Sequence, residues 1–225
     1  MATVKVVDLI VRAQTLLQDE DSTRWTVEEL QYWLNDAYME LISLRPDSNT
    51  VVVDFPCALG PRQTLATEYQ DAFRLIEVVR NTAEGSSMKA VRLTDRRRLD
   101  DQLRSWYTAT PSINVEQYMF DPRVPKDFLV YPPATAATML EVIYASVPAA
   151  HELTAEELVN PATVETIRVD DVFSSALLDY ILYRAFSKDA EQQAAMARAV
   201  AHYQAFQTAL GTKQQANAAS QPGVA

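Results

Sequence analysis

Apolar residues at the start of the chain recur every three or four positions: Val6, Leu9, Ile10, Ala13, Leu16 and Leu17. That is the repeat of an amphipathic helix, and it predicts a first helix over residues 3–17. Asp19, Glu20, Asp21, Ser22 and Thr23 then form a polar connection. A second stripe follows through Leu30, Trp33, Leu34, Ala37, Tyr38, Leu41 and Leu44. Its start is well marked. Thr26 with Glu29 three residues later fits a capping box, and Trp25 ahead of the cap can staple onto Leu30. Pro46 ends the helix, because proline disfavours helical geometry in the residue before it.

From Asn49 the period changes. Residues 50–55, 75–79, 91–93, 113–120, 128–131 and 140–145 are rich in β-branched and aromatic side chains, as short strands are. Prolines and Gly85 punctuate the gaps and suit antiparallel hairpins. One helix is predicted within this region, over 95–103, with Thr94 or Asp95 as its cap. Helical spacing returns near Val169 with Val172, Phe173, Ala176, Leu177, Tyr180, Ile181 and Phe186. Asp170 and Asp171 open that helix at its positive end. Asp189, Ala190, Glu191 and Gln192 read as a further cap, leading an alanine-rich helix expected to stop at Gly211. Beyond Gly211 the chain is poor in large apolar groups and predicts an extended tail.

The pattern therefore predicts an α+β protein. The N- and C-terminal helices (1–48 plus 167–210) form a helical bundle. An antiparallel β-rich domain (49–166) is inserted between them, and 211–225 is a flexible C-terminal tail. Short helical hairpins at both ends of a chain can pair into one bundle.

Composition sharpens this in two respects. The net charge of −10 argues against sequence-independent DNA binding, which needs a basic surface. It is compatible with a conduit that lets DNA pass without holding it. Apolar stretches are interrupted by charge well short of the ~20 residues that span a bilayer, and Asp8 interrupts an early apolar run, so no membrane partner is expected. Cys57 is the only cysteine, which excludes a disulfide framework and fits a protein made and used in a reducing cytoplasm.

The sequence offers little reaction chemistry. Gly60, Gly85, Gly211 and Gly223 are isolated, so no glycine-rich phosphate loop is present. His151 and His202 lie in different segments, and neither has a histidine at ligand spacing. No catalytic, cofactor or metal residues are assigned, and the reading is of a protein that is not an enzyme. Arg96, Arg97 and Arg98, with Arg92 and Arg104, form the one cationic cluster. A solvated helix face partly neutralised by Asp100 and Asp101 explains it as well as a partner does. Trp25 and Trp33 are read as cap and core. His202 is read as an exposed polar residue, and Asp170 and Asp171 as a helix start rather than metal ligands.

Two stretches carry a resemblance. Arg24-Trp25-Thr26, Glu29-Leu30, Trp33 to Ala37 and Leu44-Arg45-Pro46-Asp47 resemble the opening of head-to-tail adaptor proteins of short-tailed bacteriophages, the tail tubular protein A or adaptor family. Tyr118, Phe120-Asp121-Pro122-Arg123, Pro125, Phe128, Val130-Tyr131-Pro132-Pro133, Val142, Tyr144-Ala145 and Pro148 resemble the β-domain of the same proteins. There, hairpins contact neighbouring subunits. The order continues through Ala176 to Tyr180 and Ala185 to Asp189.

The resemblance implies a structural virion protein at the head–tail junction. It would form a homo-oligomeric ring, usually a dodecamer, docked on the portal protein and receiving a tail nozzle or tail tube protein. Duplex DNA would pass through its ejection channel without specific binding. The expected subunit or tail interface comprises Asp121, Arg123, Phe128, Tyr131, Arg96 and Arg97. Portal contacts are expected from Gly211, Gln214, Gln215, Asn217 and Pro222. The competing expectation is an acidic cytosolic helical-bundle binding module with no role in a virion.

Overall fold

The computed structural model describes residues 2–189 and 193–220, with side chains described as far as Gly211. The chain divides into two compact units: the described residues of 1–48 with 148–225, and residues 49–147.

The first unit is helical. α1 (Val6–Leu17) and α2 (Val27–Leu44) come from the N-terminal side. A one-turn α4 (Ala155–Leu158), α5 (Ser174–Lys188) and α6 (Gln193–Ser220) come from the C-terminal side. Leu9, Ile10 and Ala13 of α1, Leu30, Leu34 and Leu41 of α2, Leu177 and Ile181 of α5, and Phe206 of α6 share one buried cluster. Full burial of each large side chain contributes about 1.5–3 kcal/mol.

The capping box expected on α2 is present, with Thr26 Oγ1 accepting from the Glu29 amide at 3.3 Å and Glu29 reaching back to the Thr26 amide. Trp25 is buried, and its indole N–H donates to the Ala185 carbonyl at 3.2 Å. Asp170 caps the start of the α5 region. Asp171 accepts from the Thr3 and Val4 amides, which ties the N-terminal strand segment to that helix start.

Two boundaries differ from the sequence expectation. Residues 148–166 belong to the helical unit, not to the β region. Gln31 and Asn35, one turn apart on α2, explain why. Each side-chain amide bonds both the N–H and the C=O of one connector residue, Leu153 for Gln31 and His151 for Asn35. The N-terminal segment adds backbone bonds from Val6 N to Glu165 O and from Ile167 N to Val4 O, both 2.9 Å. Side chains of α2 thus supply the partners that a strand would otherwise find in a sheet.

The second difference is at Gly211, where the expected tail does not begin. α6 runs through it to Ser220. A helical glycine costs roughly 1 kcal/mol relative to alanine. The alanines, glutamines and lysine around it are good helix formers, and they carry the helix across. Of the cap expected at Asp189 to Gln192, all but Asp189 lies outside the described residues.

The second unit holds two sheets. One has the order β1 (Thr50–Pro56), β7 (Met139–Ser146), β3 (Ala72–Asn81), all antiparallel. The other has the order β2 (Gly60–Thr64), β6 (Asp127–Ala134), β5 (Gln117–Phe120), β4 (Arg92–Leu93). Its β4–β5 pair is parallel, so the region is mixed rather than wholly antiparallel. Inward-facing Phe55, Leu75, Val78, Leu140, Val142 and Tyr144 of the first sheet pack against Tyr118, Phe128 and Val130 of the second. β2 was not expected, because Gly60 and Pro61 are poor strand formers. Pro61 suits its edge position, and the Gln63 side chain closes the turn onto Ala58 and Gly60.

α3 (Arg96–Gln102) lies where predicted, capped by Asp95, whose Oδ1 accepts from the Arg97 amide at 2.8 Å. Among the described residues no helix is long and apolar enough to cross a membrane.

Candidate assembly interface

A buried polar cluster lies in the helical unit, around His151. Its imidazole is fully buried. Nε2 lies 2.9 Å from the Tyr38 hydroxyl, and Nδ1 bonds the Glu165 carboxylate. The Arg168 amide donates to the same Tyr38 oxygen at 3.2 Å, and the Arg168 guanidinium reaches Glu165 at 3.0 Å. These roles fix the tautomer. Tyr38, accepting from Arg168 N–H, spends its own proton on Nε2, so the ring proton sits on Nδ1 and faces Glu165.

Burial holds the His151 pKa below its usual value, outweighing Glu165, while burial pushes Tyr38 up to about 12. Glu165 is held low by His151 and Arg168 against partial burial. Both ring nitrogens of His151 are engaged, and its side chain is fully buried. The cluster joins α2 to residues 151–168. Sequence spacing had not singled out His151, because its partners lie more than a hundred residues away or in an irregular segment.

Other titratable groups are similarly occupied. His202 is half-buried rather than exposed; its Nδ1 meets Asp179 at 3.0 Å and its ring stacks on Phe186. Cys57 is buried, and desolvation raises its thiol pKa to about 12. Arg45 is buried at the end of α2, paired with Asp47 at 2.5 Å and donating to the Leu210 carbonyl at 2.7 Å. Among the described residues, no group of three or more His, Cys, Asp or Glu side chains could hold a metal ion.

The residues named for contacts lie in separate places. Asp121 and Arg123 sit in the exposed turn between β5 and β6, where Asp121 accepts from the Arg123 amide and guanidinium. That guanidinium, helped by Arg96, lowers the Asp121 pKa to about 2. Arg96 and Arg97 are exposed on α3, with Arg96 3.5 Å from Asp100. Tyr131 is half-buried against the small cluster of Leu99, Trp106 and Met119.

Phe128 is the correction. It is 2% exposed at the centre of the β core, 5.7 Å from Phe55 in ring contact, and offers no surface to a partner. Its alternation along β6 points it inward while Asp127 and Leu129 face the other way. Of the expected portal contacts, Gly211 is an exposed helical residue. Gln214, Gln215 and Asn217 lie on the last turns of α6. Pro222 is outside the described residues.

The outer face of α6 carries Met196 and Val200 among alanines, and edge strand β1 exposes Val52. No curated protein sequence matches the chain significantly. The family model described as SU10 adaptor protein matches residues 4–225, spanning both units. With that match over nearly its whole length, the chain belongs to the SU10 adaptor protein family, as a structural adaptor of bacteriophages.

Proposed function

We propose that the protein is the head-to-tail adaptor of a tailed phage particle: a ring subunit, dodecameric when assembled, that docks on the portal and receives the tail nozzle or tail tube protein. The observation that carries this reading is the family match over nearly the whole chain. Two features support it. The chain combines a helical unit and a β unit, each with its own core, which suits a part that must grip different neighbours. The net charge of −10 favours a channel that repels phosphates and lets DNA slide through it. Family membership also favours this reading over an acidic cytosolic binding module.

In this account the last turns of α6, with Gln214, Gln215 and Asn217, and Pro222 beyond them, reach the portal. Asp121, Arg123, Tyr131, Arg96 and Arg97 lie towards neighbouring subunits or the tail. Phe128, being core, takes no part. The test is complementation. Genome-filled heads lacking this protein, incubated with the purified full chain, should retain DNA, acquire tails and gain infectivity. A chain stopped after Gly211 should fold with an unchanged melt and fail to dock. Heads that gain tails equally well without the protein would overturn the proposal.

A further inference from the structure

The helical unit carries a cleft of about 680 Å³ between α1, the 18–26 loop, the start of α2 and α4. Its floor is apolar, built from Val11, Val27, Ala155 and Val159, and Glu20, Asp21 and Glu156 stand at its rim. Val11 and Val159 remain 48% and 60% exposed. None of the three carboxylates has an ion-pair partner among the described residues. An apolar floor under an unneutralised acidic rim has the composition of an unfilled protein interface. Its chemistry asks for a basic partner with apolar side chains.

The chain contains such a surface elsewhere. Arg92, Arg96, Arg97, Arg98 and Arg104 are five of its 20 basic residues, gathered in one short segment around α3. Only Arg96 has an ion-pair partner among the described residues; Arg92, Arg97, Arg98 and Arg104 are exposed and unpaired. Leu93 and Tyr107 stand out beside them, 64% and 45% exposed. The segment is held rigidly. Trp106 is fully buried beneath it with Leu99, and its indole N–H donates to Asp100 at 2.8 Å. A rigid knob with arginine and aromatic side chains loses little entropy on docking.

We propose that the cleft at α1 and α4 is the docking site for the arginine segment, residues 92–104, of a second copy of this chain. Cleft and knob are different surfaces, so the contact is heterologous: each copy offers one to the neighbour ahead and one to the neighbour behind. Such contacts propagate round a ring, whereas a self-complementary patch stops at a dimer. The acidic rim selects the basic segment of another subunit and repels nucleic acid. This contact rests on the ring reading above and names the two faces that build it.

The experiment is sedimentation velocity of the full chain over a concentration series at low and high salt. The wild type should self-associate at low salt and dissociate as salt screens the exposed charges over about 10 Å. Reversing the rim with Glu20→Lys and Glu156→Lys, or the knob with Arg97→Glu and Arg98→Glu, should weaken association by about tenfold or more. Combining both reversals should restore it. All four positions are exposed, so each variant should keep the wild-type melt.

In parallel, Val159→Cys and Leu93→Cys chains, treated with a short bis-maleimide, should cross-link when mixed and not separately, since buried Cys57 is shielded. A wild type that stays monomeric at low salt, reversals without effect, or no mixed cross-link would each overturn the contact. Complementation of adaptor-less heads by the reversal variants at wild-type efficiency would remove this contact alone. Failure of the wild type in that assay would instead remove the adaptor reading.

Discussion

Replacing His151 by alanine should cost the helical unit about 3–5 kcal/mol, and that cost should shrink in acid. The figure follows from the bonds lost. Two ring hydrogen bonds contribute roughly 1 kcal/mol each net, and the buried Tyr38 hydroxyl is left as a donor without an acceptor, at roughly 1–3 kcal/mol. Glu165 loses less, because it keeps Arg168 and is partly exposed to water. The pH dependence has a definite sign. Burial lowers the folded-state pKa of His151 below 6.5, so near that pH the unfolded chain binds more protons than the native one. Stability from this group is fully present above the unfolded pKa and is lost as pH falls below it, by at most about 1.4 kcal/mol per pH unit. The alanine variant lacks this proton uptake, so its deficit narrows over the same interval. Carboxylates such as Glu165 act separately, below about 4.5. Urea unfolding followed by circular dichroism at 222 nm, for both chains between pH 5 and 8, measures this directly. A deficit that stays constant across that interval, or a variant as stable as the wild type at pH 7.5, would refute the buried neutral imidazole.

Four further substitutions probe other parts of the structure by the same melts. Thr26→Ala removes the capping box on α2 and should cost about 1 kcal/mol; a neutral result would mean the cap contributes nothing. Phe128→Ala should destabilise the β unit by about 3–5 kcal/mol, whereas Arg123→Ala, in the exposed turn, should stay within about 0.5 kcal/mol; equal effects would contradict their placement. Gly211→Ala should stabilise α6 by roughly 1 kcal/mol, because Gly211 is helical and has open space where a Cβ would stand. A loss of stability there would point to a left-handed helix end instead.

The sequence was most legible where a local pattern and a local physical cause coincide. Apolar spacing placed α1, α2 and α5. The Thr26 and Glu29 pair placed the start of α2, and Asp95 that of α3, because a cap needs only residues three or four positions apart. Long-range partnership was not legible. Gln31 and Asn35 read as ordinary polar positions on α2, yet they recruit residues 148–166 to the helical unit. Nothing near His151 announced that Tyr38 and Glu165 would enclose it. β2 escaped notice because its glycine and proline suit an edge strand bounded by β6, a fact of topology rather than of propensity. Phe128 shows the same limit from the other side. An aromatic in a strand is equally an interface anchor or a core residue until the sheet opposite it is known. The rim carboxylates of the cleft were visible only as a polar connection and a stray glutamate, since the fold alone brings Glu20, Asp21 and Glu156 to one opening.

The central claim is that this chain joins a phage head to its tail. A cryo-electron microscopy reconstruction of the head–tail junction of the particle that carries it tests that claim most directly. The account predicts a closed ring of copies between the portal and the tail, with the C-terminal end of α6 against the portal and the DNA path through the ring's centre. A junction in which the portal meets the tail with no copy of this chain between them would contradict it.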